Sequence, residues 1–146
     1  YMKGMTLIVK KTTQLMAGIV FMYGIYVIVH GHLTPGGGFA GGVIIAGSLI
    51  LVTLAFGSDF LKLVKEEAGT TLIESFATLM FILIAVSGFF FGTRIFFNNF
   101  LPKGVVGHLI SAGVLPLYNI FVGTEVAASI FIIFLSLIIF KEESAQ

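Results

Sequence analysis

The chain has 146 residues, of which 58% are hydrophobic and only 10% charged, and its formal net charge is +1. Soluble domains carry roughly 25% charged residues, so a mean hydropathy of +1.10 points to a single integral membrane domain over 1–146, an all-α protein with no room for a second soluble domain. The eight scattered Lys and Arg exclude a nucleic-acid surface, and the absence of Cys excludes disulfides, thiolate metal sites, iron–sulfur ligation and cysteine nucleophiles.

The chain starts Tyr1-Met2-Lys3-Gly4-Met5, without the cleavage pattern of a signal peptide, so the first apolar run is expected to be retained. A spanning helix needs about 20 apolar residues, because the hydrocarbon core is roughly 30 Å thick. Four segments qualify, and the spacing predicts helices over about 12–29, 39–56, 72–97 and 119–140. The first two carry no charge. Between them stands His32-Leu33-Thr34-Pro35-Gly36-Gly37-Gly38-Phe39-Ala40-Gly41-Gly42, in which Pro35 disfavours helix at Thr34 and the glycines admit positive φ and close approach. This is a shaped turn. Its glycines suit either an anion-cradling nest at a helix start or a packing stripe. No Gly-Lys-Ser/Thr follows, so a phosphate loop is excluded, and Gly38, Gly42 and Ala46 continue at the spacing of a small-residue interface.

The third helix has Glu74 near its start and Arg94 near its end. Thr71-Leu72-Ile73-Glu74 fits a capping box, which accounts for Glu74 without a transport role. The same helix repeats the small-residue pattern at Gly88 and Gly92, and the fourth repeats it at Gly123 and Ala127. The bulky runs Phe89-Phe90-Phe91 and Ile130-Phe131-Ile132-Ile133-Phe134 are expected on the opposite faces, toward lipid or a large partner. The fourth helix cannot start at Val126, because Val126 to Phe140 spans only about 22 Å. It must begin between Asn119 and Gly123, or at Leu115 with Pro116 in the first turn, and so Glu125 is drawn into the membrane.

Lys3, Lys10, Lys11, Lys62, Lys65 and Lys141 fall on one side of such a topology and Arg94 and Lys103 on the other. Both termini are therefore expected to be cytoplasmic, with the glycine-rich turn and the loop from Asn98 to Pro116 outside. Intramembrane charges need a reason. Glu125 is the leading candidate for an ion-path or inter-subunit charge, with Glu74 and Arg94 behind it, and an Arg94–Glu125 ion pair is the architectural alternative. His30 and His32 sit at the mouth of the first helix, where imidazole is suited to proton relay. With His108 they lack the carboxylate or thiol that would complete a zinc site, so no metal or other cofactor is expected. No nucleophile, base and oxyanion site converge, so the chain is not expected to be an enzyme alone.

Gly31 to Gly42 and Leu115-Pro116-Leu117-Tyr118-Asn119-Ile120-Phe121-Val122-Gly123-Thr124-Glu125-Val126 together resemble the MnhB/MrpB family, small membrane subunits of multisubunit Na+/H+ antiporters. The residues carried over are Pro35, Gly36, Gly37, Gly38, Phe39, Gly41 and Gly42, and the Asn119 to Val126 approach. Ala40 stands where the family often has glutamine, and Glu125 where bacterial members often have a basic residue, which marks a divergent branch. The resemblance implies an accessory subunit of the cell membrane that helps assemble, and lines, a cation/proton exchange path with other antiporter-module subunits. It equally implies the corresponding subunit of a redox-driven hydrogenase-type complex. A stand-alone homo-oligomeric transporter is the rival from another class.

Overall fold

The computed structural model describes residues 5–57, 67–91, 96–109 and 111–143. Among these the chain forms four helices: α1 (Leu7–Val29), α2 (Gly37–Phe56), α3 (Glu67–Phe91) and α4 (Leu115–Glu143). Each is long and apolar enough to cross a membrane. α1 lies on α2, α2 on α4 and α4 on α3, so α2 and α4 form the middle of the bundle and α3 is attached mainly through α4.

The helices extend beyond the apolar windows that revealed them. α1 begins at Leu7 rather than near Thr12, α3 at Glu67 rather than near Leu72, and α4 at Leu115. The apolar window marks where hydrocarbon begins, whereas the helix continues into the interface, where charge is tolerated and the backbone still needs its hydrogen bonds. Lys10 illustrates this: its ammonium lies 5.5 Å from the centre of the Phe56 ring at the end of α2, a cation–π contact. α1 is tied to the same end by Met5 N–H donating to Ala55 O at 3.0 Å.

The core is built on absent side chains. A Cβ on Gly24 would lie 3.1 Å from Gly41 O, and one on Gly41 would lie 2.8 Å from Gly24 O, so α1 and α2 cross backbone to backbone. A Cβ on Gly42 would lie 2.6 Å from Gly123 O, and one on Gly123 would lie 3.1 Å from Gly38 O, so α2 and α4 do the same. In lipid no hydrophobic force drives helices together, and this close van der Waals approach takes its place. Ala46, one turn beyond Gly42, is fully buried.

Two expectations are corrected. Gly88 does not face a helix: a Cβ there would lie 2.8 Å from Asn98 N, so the glycine makes room for the loop that returns after α3, and Gly92 lies outside the described residues. Phe131 is not on an outer face either; at 4% exposure it fills the core, while Phe90 and Phe91 are 78% and 75% exposed.

The expected continuation of the third helix to Phe97 also fails, because α3 ends at Phe91 and Phe97 lies back alongside it. Its N–H donates to Ala85 O at 3.3 Å, and its ring packs on Phe81 and Tyr118, with centres 5.7 and 5.5 Å away. Asn99 then ties the loop to the start of α4. Its Nδ2 donates to Ala112 O at 3.2 Å, and its Oδ1 accepts from Val114 N–H at 3.1 Å. Irregular backbone at this depth requires such internal partners.

Candidate functional site

The glycine-rich turn starts where α1 ends. His30 N–H donates to Tyr26 O, and His30 O in turn accepts from the N–H groups of Leu33 and Thr34 at 2.8 and 2.9 Å. The Thr34 hydroxyl donates to the same oxygen at 3.1 Å. Pro35 and Phe39 are exposed. Gly36 and Gly37 then take φ of 140° and 67°, conformations that β-carbon-bearing residues rarely adopt, and α2 begins.

What fills the cradle is a side chain from α4. Asn119 Oδ1 accepts from Gly38 N–H at 3.3 Å, capping the first turn of α2 from another helix, as a local Ser or Asp would otherwise do. Its amide is pressed against Gly31, where a Cβ would lie 2.9 Å from Nδ2, and against Gly37, where a Cβ would lie 3.6 Å from Oδ1. A Cβ on Gly38 would overlap the Asn119 carbonyl. The glycines therefore serve close approach and capping together. His32 hangs beside them, with Nε2 3.4 Å from His108 O and Nδ1 buried without a hydrogen-bond partner. His30 stays local, stacked on Tyr26 at 4.1 Å. Among the described residues no group of three metal-ligating side chains converges.

The second polar feature lies at the α3–α4 seam. Glu74 does not close a capping box, because α3 begins at Glu67 and Thr71 is already inside it. Glu74 stands about 10 Å along the helix, and its Oε1 accepts from the Ser129 hydroxyl of α4 at 2.5 Å. Ser129 is about 21 Å from the start of α4, and the hydrogen bond places it level with Glu74. Glu125, one turn before Ser129, is half-buried and makes no hydrogen bond or ion pair with any described residue. Arg94 lies outside the described residues, and the anticipated pairing with Glu125 with it. Beside the seam runs an open groove of about 310 Å³, lined by Leu72, Ile73, Phe76, Ala77, Phe121 and Thr124. Its one hydroxyl, on Thr124, is turned to Ile120 O.

The sequence pattern does not single out Ser129, Gly24, Gly31 or Asn99. Ser129 was detectable as a hydroxyl one turn from Glu125 on an apolar helix; the others are ordinary loop or helix residues until their neighbours are known. Glu74→Ala and Ser129→Ala are each expected to lower stability in detergent by about 1 kcal/mol. The double variant should lose little more than either single one, as a double-mutant cycle on thermal unfolding will read.

The turn and the Asn119–Gly123 stretch, packed against each other, both lie within the residues that match a known family. The model of the domain related to the MnhB subunit of Na+/H+ antiporter matches residues 8–132. The chain belongs to the MnhB family. This MnhB-family chain is 35% identical over 130 residues to an uncharacterised protein of Methanocaldococcus jannaschii, covering 86% of this chain and 49% of that protein. It is 32% identical to a Na(+)/H(+) antiporter subunit of Bacillus subtilis, covering 64% of this chain and 65% of that protein. The chain thus spans about half the length of the first relative and about two thirds of the second. The fold is also that of a chain in the membrane-bound sulfane sulfur reductase, an archaeal respiratory membrane complex, with a TM-score of 0.70 and 24% identity over 90% of this chain and 57% of that one. Family and helices together make this a multi-pass membrane protein.

Proposed function

We propose that this MnhB-family chain is an accessory subunit of a multisubunit Na+/H+ antiporter module, with both termini cytoplasmic, and that it lines part of the cation and proton path at Glu74. The observation that carries the reading is the Glu74–Ser129 hydrogen bond: a carboxylate within a membrane span, held in a defined place by a neighbouring helix. Such groups mark ion or proton pathways. Family membership supports the module, and the excess of Lys on the side of both termini supports the orientation. The groove beside the seam is lined by apolar side chains and Thr124, which suits a protein that contributes one step of a path completed by others. The corresponding position in a redox-driven respiratory complex is the second setting, supported by the shared fold with the sulfane sulfur reductase chain.

The test is sodium-dependent proton exchange in vesicles holding the native assembly. Glu74→Gln, assembled to the same extent as wild type, is expected to reduce exchange at least tenfold. Unchanged exchange at equal assembly would leave the subunit as scaffold and move the path to its partners.

A further inference from the structure

Hydroxyls on apolar helices ordinarily turn back on their own backbone. Thr53, Thr78, Ser87, Thr124 and Ser136 do so here, each donating to a carbonyl three or four residues earlier in its own helix. Ser129 departs from that pattern and donates across the seam to Glu74 Oε1 at 2.5 Å. With its one proton so directed, Ser129 Oγ keeps its lone pairs for a second donor.

Glu125 stands where such a donor would come from. At about 100° per residue, Tyr118 and Ser129 fall within about 20° and 40° of it round α4. Both are turned to α3: the Tyr118 ring centre lies 5.1 Å from that of Phe81, and Ser129 meets Glu74. Glu125 lies between these two contacts in sequence, so its side of α4 is the α3 side. Ser129 is four residues further on, the spacing at which helical side chains are neighbours, so a rotamer change or one water joins the two. On the other flank Phe121 and Thr124, which line the open groove, lie about 40° and 100° from Glu125. The half-buried carboxyl group therefore borders both the seam and the groove.

We infer that Glu125, Ser129 and Glu74 form a proton relay across the α3–α4 seam, in which Glu125 exchanges protons with water at the groove and the Ser129 hydroxyl couples the two carboxyl groups. In one passage the Glu125 carboxylate takes a proton from hydronium and becomes a neutral acid. It donates that proton to Ser129 Oγ as Ser129 gives its own to Glu74 Oε1, so one O–H bond breaks for each that forms and the serine is left as it began. Glu74 then releases the proton to water or to a group of a neighbouring subunit. The relay rests on the reading of Glu74 as part of a path, and extends that path from one residue to three.

Sodium-dependent proton exchange by the native assembly in vesicles, read at equal assembly of every variant, tests the relay. Ser129→Ala and Glu125→Gln are each expected to lower exchange at least tenfold, and the double variant to be about as slow as the slower single one, because both interrupt one series of transfers. Ser129→Thr keeps a hydroxyl at the same place and should retain at least about half of the wild-type rate, a rescue that a packing role would not give. Ser136→Ala removes a hydroxyl that is turned to Ile132 O and should leave exchange at the wild-type rate. Wild-type exchange in Ser129→Ala or in Glu125→Gln, with Glu74→Gln still impaired, overturns the relay and leaves Glu74 on the path. A Ser129→Thr rate as low as that of Ser129→Ala overturns it as well, as does an equal fall in Ser136→Ala. Recovery in the Arg94→Glu, Glu125→Arg double variant, after loss in both single ones, overturns it by making Glu125 one half of an ion pair. Glu125→Gln leaves the Glu74–Ser129 hydrogen bond in place, so its result decides even where a change at Ser129 disturbs the fold. Wild-type exchange in Glu74→Gln would overturn the reading on which the relay rests, which separates the two failures.

Discussion

Gly42→Val is expected to separate α2 from α4 and to remove about 3 kcal/mol or more of stability, at the upper end of what overpacking costs. Even the first added carbon would lie 2.6 Å from Gly123 O and 2.9 Å from Val126 Cβ. One of these neighbours is backbone and the other is a branched carbon next to backbone, so neither can swing away as the tip of a long side chain would. The contact also sits midway in the chain of packing that joins α1 to α2, α2 to α4 and α4 to α3, so displacement there is transmitted to every helix. Gly47→Ala supplies the contrast: it is five residues away on the same helix, but nothing lies within 4 Å of its Cβ position. That substitution should be neutral or stabilise by up to about 1 kcal/mol through the unfolded state. Thermal unfolding of purified protein in detergent will distinguish the two, and equal behaviour of Gly42→Val and Gly47→Ala would refute the backbone crossing.

Asn119→Leu is expected to cost about 3 kcal/mol by combining two losses. The cap on α2 disappears, leaving Gly38 N–H without the Asn119 oxygen it meets at 3.3 Å, a loss of about 1 kcal/mol for a typical cap and more where water is scarce. A branched apolar side chain must also occupy the site between Gly31 and Gly37 that the flat amide fills. Asn119→Asp keeps the acceptor and the shape and should retain most of the stability, provided the variant is compared at a pH where either carboxyl oxygen can accept. Protease resistance of the turn in intact vesicles gives the readout. Cleavage near Gly36 should rise sharply for Asn119→Leu and little for Asn119→Asp, and the same resistance in all three would mean that Asn119 does not hold the turn.

Much of the architecture was legible because hydropathy works locally. Helix number, the turn between the first pair and the necessity of drawing Glu125 into the last helix all follow from the length that a bilayer demands. The short apolar run after Val126 brought the start of α4 back to between Asn119 and Gly123, and Pro116 left Leu115, where the helix begins, as the alternative. The stripe of Gly38, Gly42 and Ala46 was legible for the same reason, since helical spacing alone places those residues on one face. The errors are those of position relative to other elements. The capping box at Thr71 and Glu74 was a correct local pattern in a helix that had begun earlier. Gly88 was correctly read as close packing but assigned to a helix rather than to the loop at Asn98. Phe131 was placed outside by its neighbours in sequence, whereas its exposure depends on which side α4 turns to the bundle.

By itself, the sequence determined that this is a membrane protein of four apolar helices, that thiol chemistry is excluded, and that it resembles the MnhB family to which it belongs. These are properties of residues and short spacings, and lipid reads them segment by segment. Only the tertiary structure decided that Asn119 caps α2 across 81 residues of sequence, that Glu74 meets Ser129 across 55, and that Glu125 is left without a partner among the described residues. Each of those facts depends on the rotation and depth of one helix against another. Close glycine packing sets both, and no pattern within a single segment encodes them.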